Sequence, residues 1–213
     1  MFYRRRLPHW HPELSQESFL FVTWRLAGSA PRNHDRRART PGNETAGKAF
    51  VAVDREADKA AFGPIWLKDI RVAQLVRHAL WYGEQERNFY SLRAWVIMPN
   101  HVPVLLRPKV PLQTIMRWLK GATARKANLI LGRTGKAFWQ DESFDHRVRN
   151  DNELDRIVRY IEHNPVAAGL VDQPAHWPWS SAAGRGRDAG CPAPPAQIRA
   201  GATNAHGSYL GCV

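Results

Sequence analysis

Three residue types in this chain, at positions that secondary structure would bring together, suggest chemistry on a phosphodiester. His101 follows Met98-Pro99-Asn100 directly and opens the apolar run His101-Val102-Pro103-Val104-Leu105-Leu106. Residues i and i+2 of a strand share a face, so a histidine at 103 would make a metal-binding pair with His101; the chain has proline there. Further on, Tyr160, His163 and Asn164 stand at i, i+3 and i+4, on one side of a helix. This stripe borders the apolar face of Leu154, Ile157, Val158 and Ile161, at the rim of a core. Transfer of a phosphodiester by a tyrosine needs an aligned phenolate, a divalent metal to polarise the phosphate, and cations to hold the strand. A histidine on a central strand, a tyrosine and an amide on a facing helix, and basic helices around them come close to that set. Singly, each has a plainer reading: a strand histidine as a structural residue, and a rim tyrosine as a packed side chain with one hydrogen bond.

The elements that must position these residues follow from pattern. Glu17 to Gly28, ESFLFVTWRLAG, is β-branched and aromatic and closes on glycine, as a strand does. NFYSLRAWVIMP and NHVPVLLRP read as two further strands joined by a tight turn. Strands are therefore expected around 18–26, 90–98 and 101–107. Ile65, Ile70, Ala73, Leu75, Val76 and Leu80 fall at helical steps, predicting a helix near 64–82 that Gly83 ends. A second helix near 111–131 places Leu112, Ile115, Leu119, Ala122 and Ile130 on one side and Arg117, Lys120 and Arg125 on the other. KAFWQDESFDHRVRN is in part extended. A third helix, near 152–163, starts at Asp151 or Asn152 and leaves Asn164 at its end, because Pro165 pushes the preceding residue out of helical geometry. This alternation predicts an α+β fold: a ferredoxin-like split βαβ sandwich, an antiparallel sheet with helices packed on it.

With 213 residues, the chain suffices for one domain, expected over 1–183 with a flexible basic loop at 28–49; 184–213 reads as a disordered Gly/Ala/Pro-rich tail. Lysine and arginine number 31 against 19 acids, a net charge of +12, which favours a polyanionic partner. Only two cysteines, Cys191 and Cys212, are present, so a disulfide framework and a cysteine zinc site are excluded and a reducing cytoplasm fits. No apolar run reaches membrane-spanning length.

At this point the sequence is recognisable. It resembles the IS200-like transposases, most closely their REP-associated tyrosine transposase branch. The resemblance runs from about Leu7 to Ala183 and rests on FVTWRLAG, WVIMPNHVPVLLRP, GATARKAN, FWQDESFDHRVR, YIEHNPVAAGLV and the closing WPWSS, in that order. It implies a ferredoxin-like fold and action on single-stranded or hairpin DNA, cut through a covalent 5′-phosphotyrosine with Mg²⁺ or Mn²⁺. Carried over, Tyr160 aligns with the nucleophile, His101 with the first histidine of a His-hydrophobic-His metal pair, and Asn164 with the helix side chain that completes the metal site. Lys109, Arg117, Lys120, Arg125, Lys126, Arg147 and Arg149 are the cations expected to hold DNA. Pro103 stands where the second histidine belongs, offering neither a ligand atom nor an N–H, and implies impaired cleavage; the alternative is a catalytically dead DNA- or RNA-binding module. His163 is expected to face solvent, His146 to make a phosphate or structural contact, and His9-Trp10-His11 to mimic the missing motif only in letters.

Overall fold

The computed structural model describes residues 18–29 and 63–184. Most of the basic loop, the His9 to His11 stretch and residues 185–213 of the tail lie outside the described residues. Four strands, β1 (Leu20–Arg25), β2 (Tyr90–Trp95), β3 (His101–Pro108) and β4 (Phe144–Arg147), form one antiparallel sheet in the order β2-β3-β1-β4. Helices α1 (Ile70–Gln85) and α2 (Leu112–Ile130) join β1 to β2 and β3 to β4, two interleaved βαβ units, which is the expected split plan. Helix α3 (Asp151–Ala167) follows β4, and a one-turn α4 (Ser181–Gly184) ends the described chain. Among the described residues no helix is long and apolar enough to cross a membrane.

Alternation along the strands divides the core into two layers. Leu20, Val22, Trp24, Val102, Val104 and Leu106 pack with α1 and α2 on one face, whereas Phe21 and Leu105 pack with Val158 and Ile161 of α3 on the other. Strand β2 changes sides part-way. Its pairing with β3 slips between Leu92 and Ala94, so Tyr90 and Leu92 face α1 and α2 while Ala94, Val96 and Met98 face α3.

The helices depart from expectation for local reasons. Asp69 caps α1, accepting the Arg71 N–H at 2.9 Å, so the helix starts at Ile70 rather than 64 after a 3₁₀ turn at Trp66–Lys68. Its buried face is then Val72, Ala73, Val76, Ala79, Leu80 and Gly83, leaving Ile65 and Ile70 exposed. Gly83 does not end the helix. A Cβ there would meet Trp118 at 2.9 Å and the Tyr90 phenol more closely still, so the glycine admits the Tyr90 ring, whose hydroxyl donates to Leu80 O at 2.9 Å. The cap of α3 is Asn150, one residue before the expected start, accepting from Glu153 N at 2.9 Å. The helix runs on past Pro165, which takes a place in its last turn where the lost N–H breaks only one bond.

Proline in a central strand is unusual, yet β3 keeps register with β1 from Leu20↔Leu106 to Arg25↔His101. Pro103 O still accepts Val96 N at 3.1 Å, but the missing N–H cannot return the bond, and the β2 ladder stops at Trp95↔Val104 instead of reaching 98. The closing WPWSS takes over the outer side of this stretch. Trp177 Nε1 donates to Ile97 O at 3.0 Å, Ile97 N to Trp179 O at 2.8 Å, and Trp95 N to Ser181 Oγ at 3.1 Å, with a bridge between Val96 and Ser180.

Candidate functional site

His101 emerges from the turn Pro99-Asn100, and every backbone acceptor of that turn is occupied. Pro99 O takes Leu67 N at 3.2 Å, Asn100 O takes Leu26 N at 2.8 Å, and His101 O takes Met98 N at 2.9 Å. The turn is thereby pinned to the end of β1 and to the 3₁₀ turn before α1. His101 is fully buried, and its Nδ1 lies 2.6 Å from Asn100 Oδ1. An amide oxygen can only accept, so Nδ1 carries the proton and, in the neutral ring, Nε2 keeps the lone pair a metal or proton would use. His101, Pro103 and Leu105 share the sheet face that α3 covers.

Helix α3 packs against β2 and β3 on that face. Tyr160 is half-buried, with its ring edge-to-face on Phe21 of β1, centroids 6.3 Å apart at 70°. Asn164, one turn on, is 1% exposed, and its Nδ2 finds no hydrogen-bond partner among the described residues. A buried amide nitrogen without an acceptor is costly, by about 1–3 kcal/mol. An amide oxygen and a neutral imidazole nitrogen are both donors that a divalent cation accepts, and Asn164 and His101 belong to elements that pack together. Where a third donor would stand, Pro103 presents a pyrrolidine ring, and the described residues include no cluster of three His, Cys, Asp or Glu. These elements would offer a divalent cation two neutral donor atoms.

His163 points away from this layer: it is exposed, with Nδ1 3.1 Å from Arg159 O, and cannot replace the missing ligand. His146 is structural. Its Nε2 lies 2.9 Å from Glu153 Oε1, tying β4 to the first turn of α3. Burial opposes ionisation of Glu153, but the His146 bond and the Arg149 N–H outweigh it and hold the carboxyl below its usual range.

Four of the expected DNA-binding cations belong to a helix on the sheet face opposite Tyr160. Arg117, Lys120, Arg125 and Lys126 belong to α2, which packs on the opposite face of the sheet. Arg117 and Arg125 are exposed, and Lys126 lines a groove between α1 and α2 with His78, Tyr82 and Trp118. Lys120 departs from its expected role: its ammonium donates to the carbonyls of Gln140, Asp141 and Glu142 at 2.9, 3.0 and 3.1 Å and anchors that loop to α2. Lys109 follows β3 and its ammonium donates to Asn88. Arg147, paired with Leu20 in the sheet, donates from Nε to Ser18 Oγ at 3.2 Å, and Arg149 precedes α3. Lys109, Arg147 and Arg149 thus gather at the end of the sheet away from His101, separated from it by the length of β3, about 23 Å at 3.3 Å per residue.

The sequence reading passed over one cation. Arg25 is the sheet partner of His101, and alternation from Phe21 sets it on the face of Tyr160. The signal was the two-residue step from Phe21 through Thr23 within FVTWRLAG.

Residues 70–164 match the sequence model of the family described as transposase IS200 like, from the first residue of α1 to Asn164. A REP-associated tyrosine transposase of Escherichia coli K12 is 31% identical over 111 residues, which is 51% of this chain and 63% of the relative, so the match spans less than two thirds of that protein. A second relative, from Haemophilus influenzae, is 40% identical over 43 residues, 20% of this chain and 24% of its own length. Among solved structures, that of a REP-associated tyrosine transposase bound to a REP hairpin superposes with a TM-score of 0.51 at 23% identity, covering 84% of this chain and 81% of that one.

Proposed function

We propose that this chain, whose residues 70–164 match the IS200-like transposase model, is a member of that family that binds hairpin or single-stranded DNA and retains the tyrosine of strand transfer at a site whose cleavage is impaired by Pro103. The observation that carries the reading is the pair of buried polar side chains, His101 and Asn164, kept on elements that pack together at 0% and 1% exposure, with Asn164 one helical turn from Tyr160. Burying polar side chains in an apolar layer costs free energy. The related structure with its REP hairpin supports DNA as the partner, and the net charge of +12 agrees with it.

In the reaction proposed, the Tyr160 oxygen attacks phosphorus, the bond to the 3′ oxygen breaks, that oxygen takes up a proton, and the 5′ phosphate stays on the tyrosine. A phenol in water titrates at about pH 10, so attack at neutral pH requires a group that offsets the phenolic charge. A divalent cation on His101 and Asn164 would polarise the phosphate. The chain's own parts set its effectiveness: Asn100 fixes the His101 tautomer, Phe21 orients the Tyr160 ring, and Pro103 withholds the third donor. Loss even of a group that only orients a metal ligand costs about 10 to 100-fold, and loss of a ligand is no milder. The two cysteines support a cytoplasmic setting for this work.

The deciding experiment traps the covalent adduct on a labelled hairpin with a single-stranded tail, in Mg²⁺ or Mn²⁺. Wild type is expected to bind the DNA and give little adduct, Tyr160→Phe none, and Pro103→His more than wild type, since β3 keeps its register and points position 103 to the same face as His101. Robust wild-type adduct that needs Tyr160 would overturn the claim of impairment.

A further inference from the structure

We propose that Arg25 binds a phosphate of the single-stranded DNA beside His101, on the sheet face that carries Tyr160, placing there the positive charge that a two-donor metal position supplies poorly. This rests on the DNA-binding reading above and adds to it a group that holds the strand at the His101 end of that face.

Several observations converge on this side chain. Arg25 pairs with His101 across β1 and β3, and Thr23, two residues before it, pairs with Pro103. Its face is settled by the neighbours: Trp24 and Leu26 lie in the layer of α1 and α2, and Phe21 touches Tyr160 on the other side. The backbone beneath it is fixed, with Arg25 O accepting Gln140 N at 2.9 Å and the next residue's N–H held by Asn100 O at 2.8 Å. The side chain is half-buried, and its guanidinium makes no hydrogen bond or ion pair with another described residue. A partly desolvated cation without an anion is unfavourable, and a guanidinium offers the planar donors that match phosphate oxygens.

The other cations near His101 are engaged or remote; Arg107, on the same face six residues along β3, lies over the Phe19 ring at 4.6 Å. Lys120 is spent on three loop carbonyls, and Arg133, at the same end of the sheet, lies over the Trp66 ring at 3.7 Å. Lys109 and Arg147 sit at the other end of β3 and β1. Arg25 is thus the cation that the register of the sheet brings next to the candidate metal ligand, with Pro103 and Thr23 as its wall.

The test is fluorescence anisotropy in EDTA with two probes, a DNA hairpin carrying a short single-stranded tail and the same hairpin without it. Arg25→Ala is expected to weaken binding of the tailed hairpin about tenfold, to lower its salt slope by about 0.7, and to leave the blunt hairpin unchanged. Arg25→Lys keeps charge and stem and is expected to restore the salt slope, separating a lost contact from a damaged strand. Equal binding of the tailed probe by wild type and Arg25→Ala would overturn the inference, as would an equal loss on both probes. Wild type that binds neither probe would overturn the DNA-binding reading itself and this inference with it.

Discussion

The two faces of the sheet are built to different ends. On the face of α1 and α2, polar side chains that enter the core are used to hold backbone and loops. Thr123 Oγ1 receives Trp139 Nε1 at 2.8 Å and donates to Leu119 O, and Asn128 Nδ2 donates to Lys136 O at 2.7 Å. Unpartnered buried polar atoms occur in both layers among the described residues, Trp24 Nε1, Trp118 Nε1 and Asn128 Oδ1 in the first and Asn164 Nδ2 in the second, whose apolar cluster is the smaller. The first layer concentrates the apolar burial that stabilises the domain, and the second gives up part of that burial for groups suited to a ligand. Substitutions in the two layers should therefore move stability in opposite directions.

The largest effect is expected in the first layer. Gly83→Ala forces a methyl against the Tyr90 and Trp118 rings, and denaturant unfolding should show a loss of about 1–3 kcal/mol, although alanine is the better helix former. A neutral outcome would mean that the two rings yield, and that this layer is less tightly packed than its contacts indicate. A smaller effect of the other sign is expected at Asn164→Leu. Replacing an amide that lacks a partner by an apolar group should leave stability unchanged or raise it by up to about 1 kcal/mol, while binding of Mn²⁺ followed by calorimetry falls. If that variant were as destabilised as Gly83→Ala, Asn164 would belong to the fold rather than to a site.

The smallest effect concerns the link between the layers' edges. Glu153 has its carboxyl held below the ordinary value because the His146 bond, the Arg149 N–H and their charges outweigh burial. Its contribution is fully present above the unfolded carboxyl pKa of about 4.3 and is lost as pH falls through the folded value. Melting temperature measured between neutral and acid pH should fall slightly less steeply for Glu153→Gln than for wild type. Identical slopes would assign His146 and Glu153 no part in docking α3.

Much of this fold could be read from period alone, since Phe21, Leu105, Val158 and Ile161 follow plain strand and helix spacing and the chain alternates strand with helix. The places of His101 at the start of a strand and of Tyr160 on a helix were legible from the turn and the helical period, whereas Asn164, expected at a helix end, lies inside a helix that runs to Ala167. The cations were not legible. Arg117 and Arg125 lie on a polar helix face that the sequence defines, but which side of the sheet receives α2 depends on the handedness of the crossover, which pattern does not carry. Lys120 looked like a phosphate ligand because its three carbonyl partners come from a loop twenty residues on, where no periodicity points back to it. Gly83 looked like a helix stop because its partner, the Tyr90 ring, belongs to the next strand.

The clasp of Trp177 to Ser181 on β2 also has a meaning in time. Because the chain is made from its N-terminus, β2 and β3 can pair long before Trp179 and Ser181 exist to take the N–H groups of Ile97 and Trp95. Until then the strand border opposite β3 offers unmet donors and acceptors, the kind of margin to which another nascent chain can add. The short tryptophan and serine stretch therefore acts as the last fastening of the sheet, and a polypeptide interrupted before Trp177 is the form in which association between copies is expected.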